Sequence, residues 1–358
     1  MLKFLERIFV KKQTSIIGLD IGTDNVKLAE LSLTGNQPEL LTAGILPLSP
    51  GSMQDGRIID SEAVTEQVRQ LIAMSGAKAQ NAVVGIGGRA MFVREVLFPV
   101  LEEAELGEAI KWDMEKYVPY EPDSFYYDYA IVGKRDSETE MKVLLAAAPN
   151  EIIHELVAVV KDAGLRPVAI EIEPLALCRT LELPAEAMVI DMGGKVSQVS
   201  VFRDGQLSVT RTIPIGGQRF TETIMRNLGV EYKEAEYMKQ RQTGLLQPPF
   251  GMSEQTDLHR ELELAVRDLT REVRRTAEYY QMKNRGAVID TVILTGGGMK
   301  LDNLMEHFAA QIDLPVTVHQ QPVDFSVAAG FDRKYIEDLF PQLAVAIGLA
   351  IRGGERPS

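Results

Sequence analysis

The sequence predicts an α/β protein made of two duplicated lobes, with a small α/β module inserted into the first. Three observations predict it. Short apolar strands alternate with amphipathic helices along the chain. One opening, a buried strand followed by Asp, any residue, Gly, a polar turn and an alternating strand, occurs at Asp20-Ile21-Gly22 and again at Asp191-Met192-Gly193. Between the copies lies a stretch of different texture, residues 87–172, whose elements read β-α-β-β-α-β.

Residues 15–20 read as a buried strand ending in the turn Gly22-Thr23-Asp24-Asn25. Residues 26–33 alternate as a second strand, Gly35-Asn36 signals a turn, and residues 39–46 return as a third. Residues 60–75 carry Val64, Val68, Leu71 and Ile72 at helical spacing, and 82–86 form an apolar strand. In the inserted stretch, 92–98, 126–132, 142–147 and 168–172 read as strands. Residues 102–117 and 149–163 read as helices, with Leu106, Ile110 and Met114 on one stripe and Pro149 suited to a first turn. Trp112 and Tyr117 are expected to pack this module.

The second copy opens with strands at 188–191, 196–202 and 207–213, the last two joined by an Asp204-Gly205 turn. Helices are expected over 216–224, 231–241, 258–282 and 299–311, strands over 288–294 and 316–319, and a final small-residue helix over 343–351. Residues 243–257, with Pro248-Pro249, read as a loop.

Composition narrows the function. Against 51 Asp+Glu the chain has 38 Lys+Arg, a net charge of −13 that argues against nucleic-acid binding by phosphate neutralisation. The single cysteine, Cys178, excludes an internal disulfide or a multi-cysteine zinc site and suits a reducing compartment. His154, His259, His307 and His319 show no ligand spacing. No apolar run is long enough to span a bilayer. Residues 1–12 form either a short amphipathic element for a membrane surface or partner, or a helix lying on its own lobe.

Each Asp-x-Gly turn ends a buried strand, where a carboxylate can order waters around Mg²⁺, an ion that keeps most of its hydration and needs only one or two carboxylates. The glycine lets the backbone turn tightly and present N–H groups as a nest for phosphate oxygens. Either copy alone is equally a plain tight hairpin; two facing copies can hold one polyphosphate between two lobes. Local N–H groups and Mg²⁺ then outweigh a diffuse negative field that salt screens within about 10 Å. Thr295-Gly296-Gly297-Gly298, between a strand and a helix, adds a loop open to a flat base or a phosphate. A P-loop motif is absent, and Gly85-Ile86-Gly87-Gly88-Arg89-Ala90 reads as a strand-end turn, not a dinucleotide fingerprint.

In order and spacing, Asp20-Ile21-Gly22-Thr23-Asp24-Asn25-Val26-Lys27, Asp191-Met192-Gly193-Gly194 and Leu294-Thr295-Gly296-Gly297-Gly298 resemble the two phosphate motifs and the adenosine motif of the actin-like ATPase superfamily. Within it the chain is similar to the PilM family of type IV pilus assembly proteins, relatives of the cell-division protein FtsA. Residues 16–31, residues 110–128 around Lys116-Tyr117-Val118-Pro119-Tyr120, and Gly216-Gly217-Gln218-Arg219-Phe220-Thr221 carry the more specific likeness. The resemblance covers essentially the whole chain. It implies an actin-like ATPase fold, two RNase H-like domains around a nucleotide cleft. The expected division is 1–86 for the first lobe, completed by a C-terminal helix at 340–352, then 87–172 for the inserted β-α-β-β-α-β subdomain. A connecting helix at 173–186 leads to the second lobe at 187–339, with a helical subdomain at about 217–285.

The resemblance also implies roles. Asp20 and Asp191 would hold Mg²⁺ through water, and Gly22, Thr23, Asn25, Gly193 and Gly194 would contact the phosphates of ATP. Lys27 would lie near those phosphates or be a surface strand residue. Glu236 and Lys239 would contact ribose and base, or simply pair with each other on one helix face. Gly296, Gly297 and Gly298 would border adenine. Glu173 stands where some relatives carry a water-activating Glu, and it is equally an acid favoured at a helix N-terminus. Leu177-Cys178-Arg179 replaces the small residues that follow it in those relatives, which argues against strong hydrolysis. Ala344, Ala346, Gly348 and Ala350 would form the second interlobe connection.

The function so implied is an ATP-binding scaffold of the type IV pilus inner-membrane assembly platform, cytoplasmic and peripheral to that membrane through its partners, with weak or no ATP hydrolysis. Its partner would be the N-terminal cytoplasmic peptide of PilN, docked in a nucleotide-sensitive way between the first core subdomain and the inserted one. Pilus secretion ATPases and further copies of the chain would be additional partners. Two alternatives share the fold. A phosphotransferase needs a catalytic base beside a substrate pocket, and the sequence nominates none. An FtsA-like filament-forming membrane tether needs a C-terminal amphipathic anchor, which residues 351–358 are not expected to form.

Overall fold

The computed structural model describes residues 15–34, 37–134, 139–242, 246, 256–320, 326–329, 331 and 333–355. The 1–12 segment, the Gly35-Asn36 turn and, apart from Leu246, Thr256 and Asp257, the 243–257 loop lie outside the described residues.

The first lobe opens with the expected antiparallel meander, β1 (Ser15–Ile21), β2 (Asn25–Ser32) and β3 (Glu39–Pro47). A small hairpin follows, β4 (Met53–Gln54) and β5 (Arg57–Ile58), too short to show a periodicity. Helix α1 (Ser61–Ser75) starts where the Asp60 carboxylate accepts the Ala63 N–H at 2.9 Å. It ends at Gly76 in the left-handed conformation, with φ 69°. Strand β6 (Asn81–Ile86) runs parallel to β1 and is buried throughout, as a strand covered on both faces must be.

The chain then leaves the lobe. Strand β7 (Phe92–Pro99), helix α2 (Glu103–Tyr117), strand β8 (Phe125–Lys134) and strand β9 (Glu140–Pro149) form a sheet in the order β7-β9-β8. Leu106, Ile110 and Met114 of α2 pack against Val96, Phe98, Val143 and Leu145. Each such side chain contributes roughly 1.5–3 kcal/mol on burial, enough to give the module a core of its own. Tyr117 packs there, its ring 5.8 Å from that of Phe98. Trp112 does not, contrary to expectation: it is 81% exposed, because it sits on the helix face opposite the Leu106-Ile110-Met114 stripe.

The inserted module is also smaller than the expected six elements. Helix α3 (Asn150–Asp162) places Ile152, Leu156, Val159 and Val160 in the first lobe's core. Strand β10 (Arg166–Ile172) pairs in parallel with β6, from Arg166 opposite Asn81 to Ile172 opposite Ile86. Both therefore belong to the first lobe. Element order alone does not say which sheet a strand joins, and the apolar face of α3 matched α1 and β10 better than the module. Pro149 stands just before α3 and closes β9 instead of occupying the helix's first turn.

Helix α4 (Glu173–Cys178) connects the lobes and is shorter than the expected 173–186, since Pro184 bars a helix from continuing through residue 183. The second lobe repeats the first: β11 (Glu186–Met192), β12 (Ser197–Arg203) and β13 (Gln206–Ile213) form a meander. Helices α5 (Gly217–Leu228), α6 (Tyr232–Arg241) and α7 (Asp257–Lys283) follow, then β14 (Thr291–Thr295), a tight turn at Gly297–Met299, α8 (Leu304–Ile312) and β15 (Val316–Val318). The sheet order β15-β14-β11-β12-β13 matches β10-β6-β1-β2-β3 of the first lobe, so the duplication read from the two openings extends through five strands.

The return to the first lobe comes earlier than residue 340. Strand β16 (Ser326–Val327) pairs with β3, and α9 (Arg333–Arg352) adds Ile336 and Phe340 to the first core. Helix α9 crosses β1 and α4 at very short range. A Cβ at Gly18 would collide with the Ala346 carbonyl, and one at Gly348 with the Ala176 carbonyl. The small residues read as a connection thus allow backbone-to-backbone contact at the hinge.

Gly348→Ala is expected to lower stability by about 1–3 kcal/mol, because the clash outweighs alanine's higher helix propensity. Urea unfolding would check it; an unchanged or raised midpoint contradicts this account of the hinge.

Candidate functional site

The two duplicated hairpins face one cleft between the lobes. They correspond position for position. Asp20 lies opposite Lys27 across β1 and β2, and Asp191 opposite Gln198 across β11 and β12. Gly22 donates its N–H to the Asn25 carbonyl at 3.0 Å, and Gly193 does the same to the Val196 carbonyl at 3.0 Å. The strands that carry the two aspartates are pinned by buried Ile17 and Leu19 in one lobe and Val189 and Ile190 in the other.

Asp20, Gly22, Thr23, Asn25, Lys27, Glu173, Asp191, Gly193 and Gly194 all line this cleft. Lys27 is therefore a cleft residue and not a surface one: its Nζ donates to Asp20 Oδ2 at 2.8 Å. Glu173 begins α4 and lies against the turn after β6, where a Cβ at Gly87 would overlap its carboxylate. Three carboxylates and one ammonium thus share one half-enclosed space, with Asp20 buried and the other three half-buried. Burial, reinforced by Asp20 and Asp191, pushes Glu173 up to about 8. Burial also pushes Asp191 up to about 6, against the pull of Lys27. Burial alone would lower Lys27, but Asp20 and Asp191 outweigh it and hold the ammonium charged.

The other expected residues form a second cluster behind the β11–β12 hairpin. The Gly217 N–H bonds the Gly193 carbonyl at 3.0 Å and the Gln218 N–H bonds the Gly194 carbonyl at 2.8 Å, which seats α5 on the hairpin. Gly296, with φ 89°, and Gly298 lie so close to Met192 and Gly193 that a Cβ at either would collide with backbone. Gly297 stands beside Gln342 of α9. Glu236 and Lys239 make the pair that their spacing allowed, at 2.7 Å, with Lys239 buried and Glu236 half-buried. Lys239 also donates to Thr221 Oγ1 at 2.9 Å and the Gly217 carbonyl at 3.3 Å. These five residues do not line the cleft that holds Asp20 and Asp191.

Asp24, Lys195 and Gln198 line the cleft without having been singled out as site residues. Aligning the two hairpins would have found them, since Asp24 and Lys195 occupy the same turn position. Among the described residues, no group of three or more His, Cys, Asp or Glu is arranged to hold a metal ion. Two cleft carboxylates from opposite lobes do suit a cation that keeps most of its own water. No helix among the described residues is long and apolar enough to cross a membrane.

A family model described as type IV pilus assembly protein PilM matches residues 18–354. Among curated proteins, the chain is 28% identical over 258 residues to the cell division protein FtsA of Bacillus subtilis; the match covers 63% of this chain and 57% of that protein's length. Among solved structures, one titled as a PilM-PilN type IV pilus biogenesis complex aligns with TM-score 0.82 and 24% identity, over 95% of this chain and 99% of that one. MreB5 of Spiroplasma citri bound to ADP aligns with TM-score 0.53 and 17% identity, over 95% and 96% of the two chains. The fold is the actin-like ATPase fold.

The raised Glu173 means that the folded chain keeps a proton which the unfolded chain, with the group near 4.5, releases. The Glu173 contribution to the stability of the ligand-free protein therefore falls as pH rises from about 4.5 to about 8. Glu173→Gln is expected to flatten this fall and to exceed the parent at pH 8 by about 1 kcal/mol or more. Urea unfolding at several pH values in chelator reads it; parallel slopes for parent and variant refute the assignment.

Proposed function

The chain belongs to the type IV pilus assembly protein PilM family, and on that premise we propose that it is an ATP-binding scaffold of the pilus assembly platform at the inner membrane. The observation that carries this reading is the convergence of both Asp-x-Gly hairpins, one from each lobe, on a single cleft. Gly22, Gly193 and Gly194 let backbone N–H groups approach phosphate oxygens closely. Asp20 and Asp191 would hold Mg²⁺ through its waters, and Lys27, already charged and aimed into the cleft, would balance the phosphates. The bound metal would supply charge neutralisation to the triphosphate.

Slow turnover fits the replacement, after Glu173, of the small residues that the resemblance leads one to expect by Leu177-Cys178-Arg179. In the cation-free cleft, burial, Asp20 and Asp191 hold a proton on Glu173, and a cation bound at the two aspartates would weaken that hold. The role is then one of binding and closure. A solved relative is titled as a complex with PilN, and we take the partner here to be a peptide of that kind, the N-terminal cytoplasmic segment of a bitopic pilus protein. A second cavity supports nucleotide-sensitive docking. It is bounded by Met91 and Phe92, where the inserted module leaves the first lobe, and by Thr210 and Thr212 of β13 in the second lobe, and it shares Ile86 to Arg89 with the cleft. A ligand that moves this shared turn alters both cavities.

ATP·Mg²⁺ is expected to bind the parent and to bind Asp191→Ala or Gly193→Asp about tenfold or more weakly, since one loses a carboxylate and the other gains one in the nest. Calorimetric titration checks this, and equal affinities in all three proteins remove the nucleotide reading. A synthetic PilN N-terminal peptide is expected to be retained by the full chain, with an affinity that changes on adding ATP·Mg²⁺. Absence of retention in both conditions overturns the partner.

A further inference from the structure

We propose that Asp24 is a built-in stand-in for phosphate: its carboxylate seats on the backbone of the opposite hairpin at Gly194 and so sets how tightly the cleft takes a polyphosphate. The inference rests on the reading of the cleft as a nucleotide site.

The geometry is specific to this pair. Asp24 lies at the tip of the first hairpin, Gly194 and Lys195 at the tip of the second. A Cβ at Gly194 would overlap the Asp24 carboxylate, so the oxygen occupies the space that any other residue's side chain would fill. The carboxylate therefore lies against the Gly194 backbone from across the cleft, on ground that a phosphate entering the second hairpin would share. It is half-buried, and among the described residues no ion pair within 4.0 Å compensates it. Burial and the Glu236 carboxylate raise its proton affinity, while Lys195, Lys239 and Lys27 work against that rise. The N-terminus of the 12-residue helix α5 lies behind Gly193 and Gly194, to which it is tied by two N–H bonds. The same turn position carries Asp24 in one hairpin and Lys195 in the other, so the tips attract each other when nothing lies between them.

A polyphosphate brought between the tips meets this charge. It either displaces the carboxylate from Gly194 or binds beside it against repulsion. Removing the charge while keeping the shape therefore tightens phosphate binding, opposite in sign to the loss expected at Asp191.

The test compares the full-length parent with Asp24→Asn and Asp24→Ser, by calorimetric titration with ATP·Mg²⁺ and with adenosine; thermal melts check that each variant folds. The expected result is ATP affinity about tenfold or more tighter in both variants, with adenosine affinity unchanged. Binding of ATP by the variants alone would support the inference in its strongest form. Equal or weaker ATP binding in the variants, with the parent binding normally, overturns the role of Asp24 and leaves the cleft reading intact. An equal gain for adenosine also overturns it, since the effect would not depend on phosphate. No ATP binding by parent or variants removes the nucleotide reading and this inference together.

Discussion

The constraint on which the structure depends is the confinement of Asp20, Lys27, Glu173 and Asp191 in one half-enclosed cleft. Taking carboxylates out of water is costly, and placing them side by side adds repulsion. One ammonium cannot satisfy three of them, which is why Glu173 and Asp191 hold their protons so far above the ordinary range. Such a cluster survives only if the elements that carry it cannot relax. Here β1 and β11 are the central strands of two sheets, each hydrogen-bonded on both edges and buried on both faces. The sheets hold the charges together.

The connections between the lobes are made by close backbone contact. Helices α4 and α9 meet at Gly348 and Ala176, and α9 meets β1 at Gly18, with no side chains interlocked between the backbones. Contacts made by small residues can slide without repacking large ones. The inserted module adds a third bridge. Glu95 of β7 accepts from Ser208 Oγ at 3.2 Å and pairs with Lys283 Nζ at 3.1 Å, both on the second lobe. A change in lobe angle therefore pulls on the module as well as on the hinge.

The parts of this architecture legible in the sequence were those encoded locally. Asp20-Ile21-Gly22 and Asp191-Met192-Gly193 marked both hairpins, because the same strand ending occurs twice in corresponding places. The Leu106-Ile110-Met114 stripe located the buried face of α2. The illegible parts were pairings made at a distance. Strand β10 joined β6 and not the module, a choice made by the fit of α3 against α1 that no period in β10 reveals. Trp112, expected in the module's core, lies on the outer face, as its position relative to Ile110 on the helix dictates. Asp24 lay inside a quoted motif and went unread, since its significance is a contact with Gly194 across the cleft.

The cluster behind the second hairpin limits how a base could be recognised. Lys239 is committed to Glu236, Thr221 and the Gly217 carbonyl. Separating a buried pair of this kind costs about 3–5 kcal/mol if one partner is left unsatisfied, more than a single neutral hydrogen bond to a base or ribose returns. The pair is therefore better understood as a floor that holds α5 and α6 together beneath Gly217 and Gly298.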